Sequence, residues 1–433
     1  MNDTLKKISI SRENLVDRFQ RYVRIDTQSQ DPSDTYPSTL KQLDLSRLLV
    51  EELKALGIDN AHLTEHGYVF ASLPSNLPAD HPVAVPAVGL IAHVDTSPDV
   101  SGAGVKPVIH RNYDGGNIVL PGDTQQVIDP EENPELRDCI GHDIITSDGT
   151  TLLGADNKAG VAEIMSAVAY WQAHPEVPHG EIKIAFTVDE EVGAGVKHFD
   201  VKAFGAKYAY TIDGGTAGEV EDETFCADTA DLVIRGINVH PGYAKDKMVN
   251  ALKVAADFIS RLPKTHLSPE TTTERAGYLH PNNISGNPAE VTMRIFLRDF
   301  TLPGLKEKEA LLEEIRREVL TAWPGAQIEL KIRESYRNMK YVLNNYPFVV
   351  DYAVEAVERA GLKPLRSLIR GGTDGAALSY RDLPCPNIFT GGHNFHSKKE
   401  WVSVQDMEKA TETIIHLAAI WAERRAYSVE RRA

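Results

Sequence analysis

The chain has 433 residues, of which 42% are apolar and 25% charged, a balance and length that suit a globular protein of two or three domains. A formal charge of -16 excludes nucleic acid as a natural partner, and no apolar run approaches the ~20 residues of a membrane span, so no membrane partner is expected. The N-terminal segment lacks an apolar signal core, and Cys139, Cys226 and Cys385 are scattered with no CxxC pair, which points to reduced thiols and a cytoplasmic location.

The first two hundred residues alternate strand-like and helix-like segments. The run 88–94 is continuously apolar, as expected of a strand buried on both faces. Residues 159–171 have helical periodicity, and 182–188 and 206–212 read as further strands. This alternation predicts an α/β fold with a mostly parallel, helix-flanked sheet.

Near residue 222 the pattern changes. Strands are predicted at 232–239, 277–284, 291–298 and 328–335, with helices at 249–262 and 305–323. The order β-α-β-β-α-β is that of a ferredoxin-like sandwich. After residue 340 the α/β character returns, with helices at 348–360 and 405–424 and a short strand at 383–389. The layout is a catalytic domain (1–221 and 337–433) interrupted by a ferredoxin-like lid domain (222–336).

Four places concentrate metal-binding chemistry. His93 and Asp95 stand two apart at the carboxyl end of a strand, on one face of an extended chain. A metal-binding His needs an acceptor on its second ring nitrogen, and Asp95 is placed to supply it. Asp156 lies between Gly154 and Gly160 at a helix start. A simple helix cap accounts for it alone, but a carboxylate there also has two oxygens to offer two cations. Asp189, Glu190 and Glu191 end a buried strand, where ligands of open α/β sheets bind. Adjacent carboxylates repel unless a cation sits among them. Asp213 ends another strand before Gly214-Gly215, and His393 and His396 share the loop after 389. Histidines and carboxylates without cysteine suit zinc, manganese or cobalt, especially in a two-metal hydrolytic centre.

Taken together, these motifs make the chain resemble the peptidase T family of tripeptide aminopeptidases, within the M20 metallopeptidases. The resemblance rests on Ala-His-Val-Asp-Thr-Ser (92–97), Gly-Ala-Asp-Asn-Lys-Ala-Gly (154–160), Asp-Glu-Glu-Val-Gly (189–193) and Lys-His-Phe-Asp-Val (197–201). It continues through Asp-Gly-Gly (213–215), Asn-Val-His-Pro-Gly (238–242), Arg-Gly-Gly-Thr-Asp-Gly (370–375) and Asn-Phe-His (394–396). The motifs run in family order from about residue 10 to the C-terminus. One departure is Thr187-Val188, where the family often has Thr-Pro.

The resemblance implies two zinc ions per subunit, with cobalt or manganese as substitutes. His93 and Asp213 would bind one, Glu191 and His396 the other, and Asp156 would bridge them. Asp95 would orient His93, and Glu190 would be the general base. His240, Arg298 and Arg370 would bind substrate, the arginines gripping a peptide's terminal carboxylate. The expected reaction removes the N-terminal residue of short peptides, chiefly tripeptides. Two zincs roughly 3.5–4 Å apart would share the attacking water while Glu190 carries its proton to the leaving amine. Glu190 and Glu191 would divide their roles by pointing to opposite sides of an extended chain. A related M20-type dipeptidase or N-acyl amino acid deacylase would use the same centre. The assembly is expected to be a monomer or homodimer.

Overall fold

Residues 8–82 and 84–424 are described in the structure, a computed structural model; the outermost ends of the expected catalytic domain lie outside them. The chain divides into two compact units. The first comprises the chain through Asp222, Met339–Leu368 and everything from Thr373; the second comprises Glu223–Asn338 and the short return Ile369–Gly372.

The first unit is built on an eight-stranded mixed sheet. Four strands at its centre, Ile182–Thr187, Val88–His93, Tyr208–Gly214 and Asn387–Phe389, lie side by side and parallel. Every residue of Val88–His93 is buried, as a strand covered on both faces requires. The flanks run the other way. Val69–Leu73 pairs antiparallel with Ile182–Thr187, and Glu219–Thr224 pairs antiparallel with Asn387–Phe389. The connection from Gly214 to Glu219 is too short for a parallel crossover, which takes a dozen or more residues, so this strand returns antiparallel.

Parallel direction at the centre decides where function can gather. The carboxyl ends of all four strands reach the same edge of the sheet. His93 pairs in register with Thr187, Ile91 with Thr211, and Ile388 with Ile212. The residues that follow these positions therefore emerge together.

The helix Ala155–Ala173 begins earlier than the sequence periodicity indicates and is buried over most of its length. It packs on the Val88–His93 strand. A helix apolar on all sides belongs in an interior, and its small residues, among them Ala159, Gly160, Ala162 and Ala167, permit close approach. Gly160 marks the tightest point, since a Cβ there would lie 2.0 Å from the Ile212 carbonyl oxygen.

A second, antiparallel sheet in the same unit orders Gly392–His393, Trp401–Ser403, Ile144–Thr146 and Val108–His110. Its first two strands form a hairpin whose loop carries His396. The helix Val404–Glu423 follows directly, capped by the Ser403 hydroxyl on the Asp406 N–H.

The second unit holds four antiparallel strands in the spatial order Tyr278–Gly286, Glu290–Asp299, Cys226–Arg235, Gln327–Tyr336. Helices Ala251–Arg261 and Leu302–Ala322 supply Val254, Phe258, Leu305, Leu312, Ile315 and Val319 to its core. In chain order this is β-α-β-β-α-β. The first strand starts at Cys226, ahead of the 232 expected from apolar alternation, because the polar residues Asp228, Thr229 and Asp231 begin it.

Candidate metal centre

His93 ends its strand fully packed, with 2% of its side chain exposed. One ring nitrogen, Nδ1, faces Asp95: it is 3.1 Å from the Asp95 carbonyl and 3.3 Å from its carboxylate. The other, Nε2, lies 3.0 Å from Asp156 Oδ1 and 3.4 Å from Asp213 Oδ1. On the far side of Asp156, Oδ2 is 3.3 Å from His396 Nε2, and that same nitrogen is 2.7 Å from Glu191 Oε2. One carboxylate thus meets two imidazoles, each imidazole meets a further carboxylate, and five residues from five parts of the chain form a continuous cluster.

Local structure explains each placement. Asp156 follows Gly154, whose φ of 84° turns the chain into the helix, and Asp156 itself has extended backbone at ψ 105°. No side chain caps this helix start. The peptide bond Asp156–Asn157 is cis. Glu400, buried, accepts the backbone N–H groups of Leu153, Gly154 and Asp156 at 2.8, 2.7 and 2.9 Å. Those three donors fix the turn that presents the Asp156 carboxylate.

The acidic triplet divides its work in a way that strand alternation does not describe. Asp189 is at φ 60°, and Glu190–Val192 is a 3-10 turn, not extended chain. Asp189 points back into the protein. Its carboxylate accepts the Ser38 N–H and the Gln42 side-chain amide, each at 2.6 Å, and its own N–H donates to Gln42 Oε1. The Asp95 carboxylate accepts the N–H groups of Glu190 and Glu191 at 3.1 and 3.2 Å. Asp95 therefore holds both the His93 ring and the turn that carries the glutamates. The expected division by extended alternation is replaced by divergence around a tight turn.

Charge in the cluster is unbalanced in the direction a cation corrects. Burial pulls the His396 imidazole down, yet hydrogen bonds with Asp156 and Glu191 outweigh it and lift the group to about 11. His93 is likewise raised, Asp213, Asp156 and Asp95 overcoming its burial. Burial pushes Glu191 up to about 8 and Asp213 up to about 6. Glu190 is raised well above the usual carboxylate range by burial and by the charges of Asp213, Asp374 and Glu191. Among the described residues, buried Glu191 Oε1 has no hydrogen-bond partner. An orphaned carboxylate oxygen beside imidazoles held by carboxylates is the donor chemistry of a divalent metal, and the residues present fit one.

Two contributors escaped the sequence reading. Glu400 sits only four residues after His396, and its place in the Asn-Phe-His-Ser-Lys-Lys-Glu run was the available signal. Asp374 lies in the Arg-Gly-Gly-Thr-Asp-Gly motif, accepts the Thr187 hydroxyl at 2.7 Å and is pushed up to about 7 by burial and by the charges of Asp213 and Asp95. His393, left out of the ligand set, stacks on Trp401 at 4.2 Å, and burial lowers it to about 4, as a neutral packing residue.

The three substrate-binding candidates belong to the second unit. His240 is exposed, with Nδ1 accepting the Gly242 N–H at 3.1 Å. Arg298 donates to the carbonyls of Asp228 and Leu297 and lies over the rings of Phe296 and Tyr336. Arg370 donates to the carbonyls of Glu274, Ala276 and Thr272 and lies over Phe225 and Tyr278.

Comparison with known proteins agrees with this architecture. Residues 147–419 match the model of peptidase family M20/M25/M40. Peptidase T of Bacillus pumilus (strain SAFR-032) is 47% identical over 413 residues, covering 95% of this chain and 100% of that protein. The crystal structure of a tripeptidase from Staphylococcus aureus Mu50 superposes with a TM-score of 0.74 at 22% identity, covering 96% of this chain and 100% of that one. The Bacillus subtilis YXEP protein, described as a dinuclear metal-binding peptidase of family M20, gives 0.61 at 14% identity, covering 95% and 98%. Among the described residues no helix is long and apolar enough to cross a membrane. With its sheet-edge cluster and its end-to-end similarity, the chain belongs to the peptidase T group of peptidase family M20/M25/M40.

Proposed function

We propose that this peptidase is a zinc-dependent aminopeptidase that removes the N-terminal residue of tripeptides. The observation that carries the reading is the Asp156 carboxylate, whose two oxygens each face a different imidazole, those of His93 and His396. In this reading His93, Asp156 and Asp213 would hold one divalent ion, and Asp156, Glu191 and His396 the other. Bound divalent ions supply Lewis acidity, which acidifies water and polarises a peptide carbonyl.

The protein's own groups do the rest. Asp95 fixes the His93 ring through Nδ1 and leaves Nε2 facing the centre. Glu190 leaves the same turn as Glu191, within electrostatic reach of His93 and Asp213, and as a carboxylate beside the centre it would take a proton from water and deliver it to the leaving amine. Asp374 and Glu400 position the centre without entering the ligand set. His240, Arg298 and Arg370 keep the substrate-binding roles that the family resemblance implies, and the inserted unit serves as a lid. Three unpaired buried cysteines support a reducing, cytoplasmic setting.

The test compares Ala-Ala-Ala, Ala-Ala and acetyl-Ala-Ala-Ala as substrates of protein dialysed against a chelator and then reloaded with zinc. The tripeptide is expected to be cleaved, the blocked peptide to resist, and chelation to abolish turnover until zinc returns. Equal cleavage of the blocked peptide removes the aminopeptidase assignment and favours the deacylase reading. Full activity in the chelated protein removes the metal.

A further inference from the structure

Away from the His93–His396 cluster, the first unit contains a second convergence of metal-binding atoms. Cys139 ends the 3-10 turn Pro134–Cys139, His142 follows shortly after, and Asp406 lies in the first turn of the helix Val404–Glu423. A sulfur, an imidazole nitrogen and a carboxylate oxygen from these residues all lie within 4.8 Å of one another. Cys139 Sγ is 3.6 Å from Asp406 Oδ2, and His142 Nδ1 is 3.9 Å from Asp406 Oδ1. Cys139 and Asp406 are buried, whereas the His142 side chain is 28% exposed and opens the cluster to solvent.

The charge of Asp406 also acts on a second buried acid. Glu163, midway along the helix Ala155–Ala173, is fully buried, and among the described residues neither of its carboxylate oxygens has a hydrogen-bond partner. The charged group that acts on it is Asp406. A buried carboxylate without a donor costs several kcal/mol unless a proton or a cation neutralises it. The like charge of Asp406 adds to the cost of ionising Glu163.

We propose that Cys139, His142 and Asp406 form a site for one zinc-like divalent cation, independent of the His93–His396 centre. Thiolate sulfur, imidazole nitrogen and carboxylate oxygen are all zinc ligands, and three of them leave a fourth position open to solvent beside the part-exposed His142. The thiolate favours zinc or cobalt over magnesium and calcium. On binding, the Cys139 sulfur–hydrogen bond gives way to a sulfur–metal bond and the proton leaves to solvent. The ion would tie the segment before the strand Ile144–Thr146 to the helix that follows Trp401–Ser403. That strand is the base of the hairpin carrying His396.

Sulfur gives the site its own signal. The His93–His396 cluster contains no cysteine, so a near-ultraviolet thiolate-to-cobalt charge-transfer band in the cobalt-loaded full-length protein reports Cys139 alone. We expect the band in the wild type, its loss together with one metal equivalent in Cys139→Ala, and its retention in Cys226→Ala and Cys385→Ala. Should Cys139→Ala fail to fold, the half-exposed ligand serves instead: His142→Ala is expected to shift cobalt titration of the band to at least about tenfold higher concentration. A cobalt-saturated wild type with no such band, a band that survives Cys139→Ala, or a titration unchanged in His142→Ala overturns the site.

Discussion

The buried Glu400 carboxylate accepts the Asp156 backbone N–H at 2.9 Å, from a position 244 residues further along the chain. With the N–H groups of Leu153 and Gly154 it gathers three donors onto one side chain. A glutamine in its place offers one acceptor oxygen and turns an amine towards the remaining N–H groups. Glu400→Gln is therefore expected to weaken metal affinity by roughly 10–100-fold, the usual effect of losing a group that orients a ligand. Metal-buffered titration of activity and of metal content checks it, and unchanged affinity would remove Glu400 as a positioning residue.

Glu190 and Glu191 share one turn, yet only Glu191 touches His396, at 2.7 Å. Glu190→Gln is expected to keep its metal complement and lose turnover by about 10²–10⁴-fold, the range assigned to a general base. Glu191→Gln is expected to lose metal. Metal analysis beside kcat separates the two, and wild-type kcat in Glu190→Gln would rule out Glu190 as the base.

Arg298→Ala is expected to raise KM for tripeptides severalfold while changing kcat little, as removal of a uniform binding contact does. The Arg298 guanidinium is also held by two backbone carbonyls and two aromatic rings. Thermal melting of the variant distinguishes a binding loss from unfolding of its surroundings. An unchanged KM takes Arg298 out of substrate recognition.

Gly160 is the point where the helix Ala155–Ala173 crosses the Asp213 strand most closely. An alanine Cβ there would lie 2.0 Å from the Ile212 carbonyl oxygen and 2.5 Å from Asn157 Oδ1. Backbone cannot yield as a flexible side chain does, so Gly160→Ala is expected to cost at least ~1–3 kcal/mol. Denaturant unfolding measures this, and a wild-type midpoint would contradict the packing.

His416 gives the fold an acid sensitivity distinct from that of the metal cluster. It is buried in the helix Val404–Glu423, Nδ1 has no partner among the described residues, and burial lowers the group to about 4. The folded protein thus holds this imidazole neutral, while the unfolded chain protonates it at its ordinary value near ~6.5. Its contribution is complete above that value and is lost as pH falls towards about 4. His416→Phe is expected to flatten the fall in Tm between those limits, and a Tm–pH slope identical to wild type would assign the acid sensitivity elsewhere.

Much of this protein was legible without coordinates. The apolar run before His93, the acidic triplet after 187 and the Asp213-Gly-Gly turn announce strand ends, because strand burial and chain reversal are written in neighbouring residues. Parallel alternation then implies that such ends share an edge. What remained hidden depends on contacts between distant segments. The antiparallel flanks follow from connection length and pairing, which periodicity does not encode. The separation of Glu190 from Glu191 arises from a 3-10 turn held by the Asp95 carboxylate, whereas sequence alternation presumes an extended chain. The work of Glu400 on the Asp156 turn, and the meeting of Cys139, His142 and Asp406, exist only after folding. The sequence alone determined which chemical groups the protein owns and which strand ends carry them. Tertiary packing decided which oxygens and nitrogens meet, because hydrogen-bond and ligand geometry is set over about 3 Å by elements that lie far apart in the chain.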